Sequence, residues 1–116
     1  MVKLIWGTGE VIKEFSSLEV CKQVLQRADL DGVDLRGEYL AYALLGGATL
    51  RGANLEGVCL SYAYLVGADL RDADLSSAIL HQANLHNARI TKGALTDTQL
   101  QQAINTDTIT WVDPTE

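Results

Sequence analysis

The chain has 116 residues, 47% of them hydrophobic and 21% charged, which fits one domain with its own core and argues against a disordered chain. Nine Lys and Arg against fifteen Asp and Glu leave a net charge of -6. That balance argues against a general nucleic-acid binder, which needs a basic face, though not against an acidic surface that imitates nucleic acid.

In chain order, Val2 to Trp6 and Val11 to Phe15 flank Gly7-Thr8-Gly9 and predict a β-hairpin. Its apolar patch is too soon interrupted by Glu10, Lys13 and Glu14 for a signal-peptide core, and no apolar run reaches a membrane span. A soluble, cytoplasmic protein is the expectation, with no membrane contact. Cys21 and Cys59, without a pairing motif, read as reduced thiols. Ser16-Ser17-Leu18-Glu19 fits a capping box, and Leu18, Cys21, Val24 and Leu25 form an apolar stripe, so a helix is predicted over 16–26. Cys21 fits as a small core residue beneath that helix.

From residue 28 to 92 the period is five. Leucines stand at 30, 35, 40, 45, 50, 55, 60, 65, 70, 75, 80 and 85, with Ile90 closing the series. Two residues before each is Ala or Val, except at Glu38. An α-helix would rotate every fifth residue by about 140°, scattering the leucines around its surface. A strand would send alternate leucines to opposite faces. The pattern requires a chain that turns a corner every five residues, with the large and the small residue both pointing inward. Glycines at the last pentad position (Gly32, Gly37, Gly47, Gly52, Gly57 and Gly67) suit tight corners with positive φ.

Downstream, Thr96-Asp97-Thr98-Gln99 is a second capping box, followed by Leu100, Ala103 and Ile104, and predicts a short helix over about 97–104. In the tail, Trp111 is expected to fold back on the last coil. The domain organisation read from this is an N-terminal cap over 1–27, a repeat body over 28–92, and a C-terminal cap and tail over 93–116.

The pentads Ala28-Asp29-Leu30-Asp31-Gly32, Ala53-Asn54-Leu55-Glu56-Gly57, Ala68-Asp69-Leu70-Arg71-Asp72 and Ala83-Asn84-Leu85-His86-Asn87 resemble those of pentapeptide-repeat proteins. The resemblance implies an all-β solenoid, a right-handed quadrilateral β-helix with four pentads per coil. Residues 28–92 then make about three and a quarter coils, roughly 15 Å tall, with short helical caps over the open ends. The tail also resembles that of many cyanobacterial members of the family.

With twenty residues per coil, the outside reads as columns. Two sides carry mixed charge: Asp29, Thr49, Asp69 and Arg89 beside Asp31, Arg51, Arg71 and Thr91, then Asp34, Asn54 and Asp74 beside Arg36, Glu56 and Ser76. Asp31 over Arg51 and Arg36 over Glu56 are the expected cross-coil ion pairs. The other two sides carry Tyr39, Cys59 and Ile79; Tyr42, Tyr62 and Gln82; Leu44, Tyr64 and Asn84; and Gly46, Val66 and His86. All four tyrosines lie here, outward by pattern, with Tyr42 stacked near Tyr62. Tyr39, Tyr42, Leu44, Tyr62, Tyr64 and Val66 are the candidate partner-binding residues, since a contiguous exposed aromatic patch marks an interaction surface and Tyr is a favoured hot-spot residue. Two alternatives stand beside this: tyrosines ladder well across stacked strands, and a cap or the tail folds over the wall. Glu38, in an otherwise apolar register, is expected either to bond cap backbone, to pair with Arg27 or Lys22, or to sit where the first coil is irregular.

No catalytic constellation is present. Cys59 and His81 would make a poor zinc site for lack of further ligands, no phosphate loop or nucleophile motif occurs, and a Leu/Ala interior offers no deep pocket. The reading is a non-enzymatic structural or protein-interaction module without cofactor or metal, docking a protein partner or a second copy as a homodimer. Two alternatives rest on the resemblance. One is mimicry of DNA to inhibit a type II topoisomerase such as gyrase, which the interrupting Arg51, Arg71 and Arg89 weaken. The other is regulation of cyanobacterial signalling.

Overall fold

In the computed structural model, residues 2–6, 11–15 and 25–114 are described. The repeat segment winds into coils of twenty residues. Parallel bridges join Asp29 to Thr49 and Thr49 to Asp69, and likewise Asp34, Asn54 and Asp74; Tyr39, Cys59 and Ile79; and Leu44, Tyr64 and Asn84. Each coil thus has four short sides, each bonded to the same side of the next coil. The ladder is regular: the Leu30 amide donates to the Thr49 carbonyl at 2.7 Å, and the Thr49 amide donates to the Ala28 carbonyl at 3.0 Å.

Corners come from turns in which the amide of the residue three on donates back to the leucine carbonyl, as from Val33 to Leu30 and from Ala48 to Leu45. The third residue of each turn has positive φ, as a type II turn requires. Glycine supplies it at the six positions expected, but Tyr42 (64°), Tyr62 (59°), Asp72, Ser77, Gln82 and Asn87 adopt it too. The interior is a stack of leucines and alanines. Leu30 to Ile90 at every fifth position are at most 2% exposed, and the Ala and Val positions from 33 to 88 are buried with them. Glu38 is the exception: it is half-buried on the rim of a surface depression with Asp34, Arg36 and Glu56. Its backbone is regular rather than irregular, with the Cys59 amide donating to its carbonyl at 3.0 Å, and Lys22 and the cap segment before Leu25 lie outside the described residues.

Strands β1 (Val2–Trp6) and β2 (Val11–Phe15) form an antiparallel hairpin, and β1 also pairs antiparallel with β3 (Val33–Asp34), Ile5 facing Asp34 and Trp6 facing Val33. The hairpin therefore covers the otherwise open backbone edge of the first coil on that side. The helix expected over 16–26, with Cys21 and Lys22, falls mostly outside the described residues; Leu25 to Arg27 form a turn.

At the other end, pairing runs past residue 92. Ile104 bridges Asn84, and β4 (Asp69–Leu70), β5 (Arg89–Thr91) and β6 (Thr110–Val112) form a parallel sheet in which Trp111 faces Ile90. Trp111 is thus a strand residue, 37% exposed. Helix α1 (Asp97–Gln102) begins at a capping box: Thr96 Oγ1 accepts from the Gln99 amide, and Gln99 Oε1 accepts from the Thr96 amide. Buried Gln99 also donates from Nε2 to the carbonyls of Leu75 at 2.9 Å and Ala78 at 3.0 Å. One coil earlier, the Val58 carbonyl accepts from the Ile79 amide. The glutamine side chain stands in for the backbone donor of a coil that is not there.

Candidate protein-interaction surface

The stack separates charge from aromatic surface. Residues 39–47, 59–67 and 79–87 contain no Asp, Glu, Lys or Arg. They make up two adjacent sides that share the corner at Tyr42 and Tyr62. All six sequence-predicted residues lie on these sides. Tyr39 is 61% exposed, Tyr42 51%, Tyr62 47% and Tyr64 40%, while Leu44 and Val66 are half-buried. The coil spacing brings Tyr42 and Tyr62 together: their rings stack with centroids 5.0 Å apart and planes 4° off parallel. Leu44 and Tyr64 are bridged backbone to backbone. Tyr39 shares the side of Tyr42, with no ring contact among the described residues.

Three further residues complete the surface. His81 sets its ring edge-on to Tyr62, with centroids 5.4 Å apart and planes at 88°, extending the aromatic column by one coil. Ile79 is 48% exposed beneath Cys59. Gly46 is buried, and a Cβ there would lie 2.8 Å from Tyr64 Cε1, so the ring rests directly on bare backbone. The signal for Gly46 was in the sequence: Val66 and His86 fill the same column. The Cys59 thiol donates to Ser61 Oγ at 3.6 Å, while His81 turns to Tyr62, so the pair is not drawn together as a metal site. Among the described residues, no group of three His, Cys, Asp or Glu is placed to hold a metal.

The remaining two sides hold the charge, largely in pairs. Arg51 reaches across coils to Asp31 at 2.8 Å, as expected. Arg36 does not bond Glu56; it forks onto Asp34 two residues earlier, at 2.9 and 3.0 Å. Outward positions two apart on one short side face the same way, and that spacing suits the planar guanidinium better than the next coil does. Arg71 repeats the arrangement on Asp69 at 2.7 Å. Asp69 is not the solvated column residue its register suggests: its side chain is only 12% exposed. Burial pushes its carboxyl up, but hydrogen bonds from the Arg71 guanidinium and backbone amide outweigh that and hold it below the ordinary value near 3.8. Asp34 is likewise lowered by the Arg36 hydrogen bonds.

A pH dependence follows. With a folded pKa below the unfolded one, Asp69 contributes stability that is full above about pH 4–5 and is lost as pH falls through the folded value. Asp69→Asn is expected to cost about 1–2 kcal/mol at pH 7. Urea midpoints of wild type and variant should converge as pH falls below about 4; a gap that stays constant with pH would show that the charge is immaterial.

The family described as pentapeptide repeats (8 copies) matches residues 39–72 and 68–104, more than half of the chain. The protein belongs to the pentapeptide-repeat family, and its coils are those of a right-handed β-helix. Similar solved structures include a pentapeptide repeat protein from the Arabidopsis thaliana thylakoid lumen, with 31% identity over 66% of this chain and a TM-score of 0.36. The match spans 60% of that protein's length. Another is a pentapeptide repeat protein from Nostoc PCC 7120, with 25% identity over 76% of this chain and 75% of the other, and a TM-score of 0.25. No curated protein matches the chain. The protein is a structural repeat protein, and no helix among its described residues is long and apolar enough to cross a membrane.

Proposed function

We propose that the protein is a non-enzymatic interaction module that docks a protein partner on the tyrosine-bearing sides. The observation that carries this is the exposed, uncharged aromatic surface: Tyr39, Tyr42, Tyr62, Tyr64 and Ile79 are 40–61% exposed on sides that hold no Asp, Glu, Lys or Arg. A contiguous surface of this kind marks an interaction site, and Tyr is a favoured hot-spot residue. The charged sides favour DNA mimicry less, because Asp31, Asp34 and Asp69 are each neutralised by an arginine rather than left in an acidic stripe.

The test is Tyr42→Asp combined with Tyr62→Asp. Both residues are half-exposed, so the circular dichroism spectrum should be unchanged. Binding to proteins retained by an immobilised wild-type sample from native lysate should fall by at least about tenfold. Retention that survives the double variant unchanged would remove the wall as the interface.

A further inference from the structure

Resting on that reading of the wall, we propose that its partner is a second copy of this chain, docked through the one side formed by residues 39–42, 59–62 and 79–82. Among the described residues, the four most exposed large hydrophobic ones, Tyr39, Tyr42, Ile79 and Tyr62, all belong to this side and its corner. Tyr64, on the neighbouring side, is already seated on Gly46.

Charge points to self-association. A chain of net charge -6 repels its own copies, and like charges brought into contact oppose association. On the coils, the carboxylates of Asp29, Asp31, Asp34, Glu56, Asp69 and Asp74 lie on the two other sides, Glu38 lies on the rim it shares with Asp34, Arg36 and Glu56, and Asp97 lies beyond the last coil on the capping helix. Between Glu38 and Asp97, residues 39–42, 59–62 and 79–82 carry no charged side chain, so two copies can approach there with no like charge at the centre of the contact. A basic partner drawn by the protein's acidity would be steered to the charged sides instead.

Chemistry and shape agree. The polar groups on this side are the phenols, Ser61, the Cys59 thiol, His81 and Gln82, each able both to donate and to accept a hydrogen bond. A face made of such groups is self-complementary across a two-fold axis, where each contact occurs twice. One side of a four-sided coil stack is flat, so it meets a copy of itself without needing a groove. With aromatic side chains of roughly 200 Å² each, the exposed fractions leave roughly 400 Å² of apolar and aromatic surface here. That is about half of the roughly 800 Å² per partner of a standard interface. The dimer is therefore weak and concentration-dependent, and its centre is Cys59, between Tyr39 above and Ile79 below.

Sedimentation velocity across the micromolar to millimolar range tests this on the full chain. Wild type should pass from monomer to dimer. Tyr39→Lys with Ile79→Lys places like charges across the axis and should weaken dimerisation at least about tenfold, whereas Glu56→Lys on a charged side should not weaken it. In a Cys21→Ser background, a short bis-maleimide should couple Cys59 to the Cys59 of a second copy. With Cys59→Ser and Ser76→Cys, on a charged side, coupling should be lost. A wild-type protein that stays monomeric throughout overturns the proposal, as does a dimer that survives the double lysine variant and does not couple through Cys59. If the monomer nevertheless retains a different protein that the Tyr42→Asp/Tyr62→Asp variant loses, the interaction-module reading stands and self-association alone has failed.

Discussion

Leu65→Ala is expected to destabilise the protein by about 4 kcal/mol, in the upper part of the range for buried leucines. Leu65 is completely buried, with Leu45 and Leu85 in register one coil before and after it. The cost of such a deletion depends on how far the surroundings collapse into the cavity. Here they are held apart by backbone. The Leu65 amide donates to the Asn84 carbonyl and the Tyr64 amide to the Ala43 carbonyl, both at 2.9 Å, so its side is pinned to both neighbouring coils. Strands in such a ladder keep a spacing near 4.8 Å whatever side chains they carry. Leu100→Ala is the comparison: Leu100 is only partly buried, on the short capping helix where no further coil encloses it, and should cost about 1 kcal/mol. Equilibrium urea denaturation followed by circular dichroism measures both. Equal losses would mean that the interior relaxes and that the ladder does not hold the cavity open.

The same ladder explains which parts of the structure could be read from sequence. A leucine every fifth residue is compatible with neither helix nor strand, so the inward column and its corners followed from Leu30 to Ile90 alone. Once coils of twenty are assumed, Tyr42 over Tyr62 and Asp31 over Arg51 follow by counting. What counting misses is competition between partners at similar distances. Arg36 had Glu56 one coil away and Asp34 two residues back, and the shorter, planar arrangement wins. Asp69 looked like any other outward aspartate, yet Arg71 folds over it and buries it. Glu38 looked buried from its register, yet it lies on a rim open to solvent. The positive φ at Tyr42 and Tyr62 was implicit in the position of Gly47 and Gly67 but not in the tyrosines themselves. This distinction bears on the site. The location of the wall was legible because it depends on register, whereas the half-burial of Leu44 and Val66 and the seating of Tyr64 on Gly46 depend on packing that register does not show.

Gln99→Leu is expected to cost about 2–3 kcal/mol, far more than the loss of a surface glutamine. The substitution keeps most of the volume but removes the donors to the Leu75 and Ala78 carbonyls and the acceptor for the Thr96 amide. The Ala78 carbonyl and the Thr96 amide then lose their partner, while the Leu75 carbonyl keeps only the turn bond from the Ala78 amide, and leaving a buried group unsatisfied costs more than the bond itself is worth. Hydrogen exchange should localise the effect. Amides of Ala78 and Leu100 should lose protection first, while the Tyr64 amide, deep in the ladder, keeps it. Gln99→Glu sharpens the test because it retains the shape and the acceptor. Its carboxylate would face two carbonyl oxygens in a buried site, so its folded pKa is raised above the unfolded value near 4.3. The deficit should therefore be small below about pH 4, where the neutral acid still donates one hydrogen bond, and should grow as pH rises through the raised folded value. A Gln99→Glu variant as stable as wild type at pH 7 would mean that the side-chain amide does not close the last coil. Closure would then rest on the parallel pairing of β6 with β5, and deleting Thr110–Val112 would be the more damaging change.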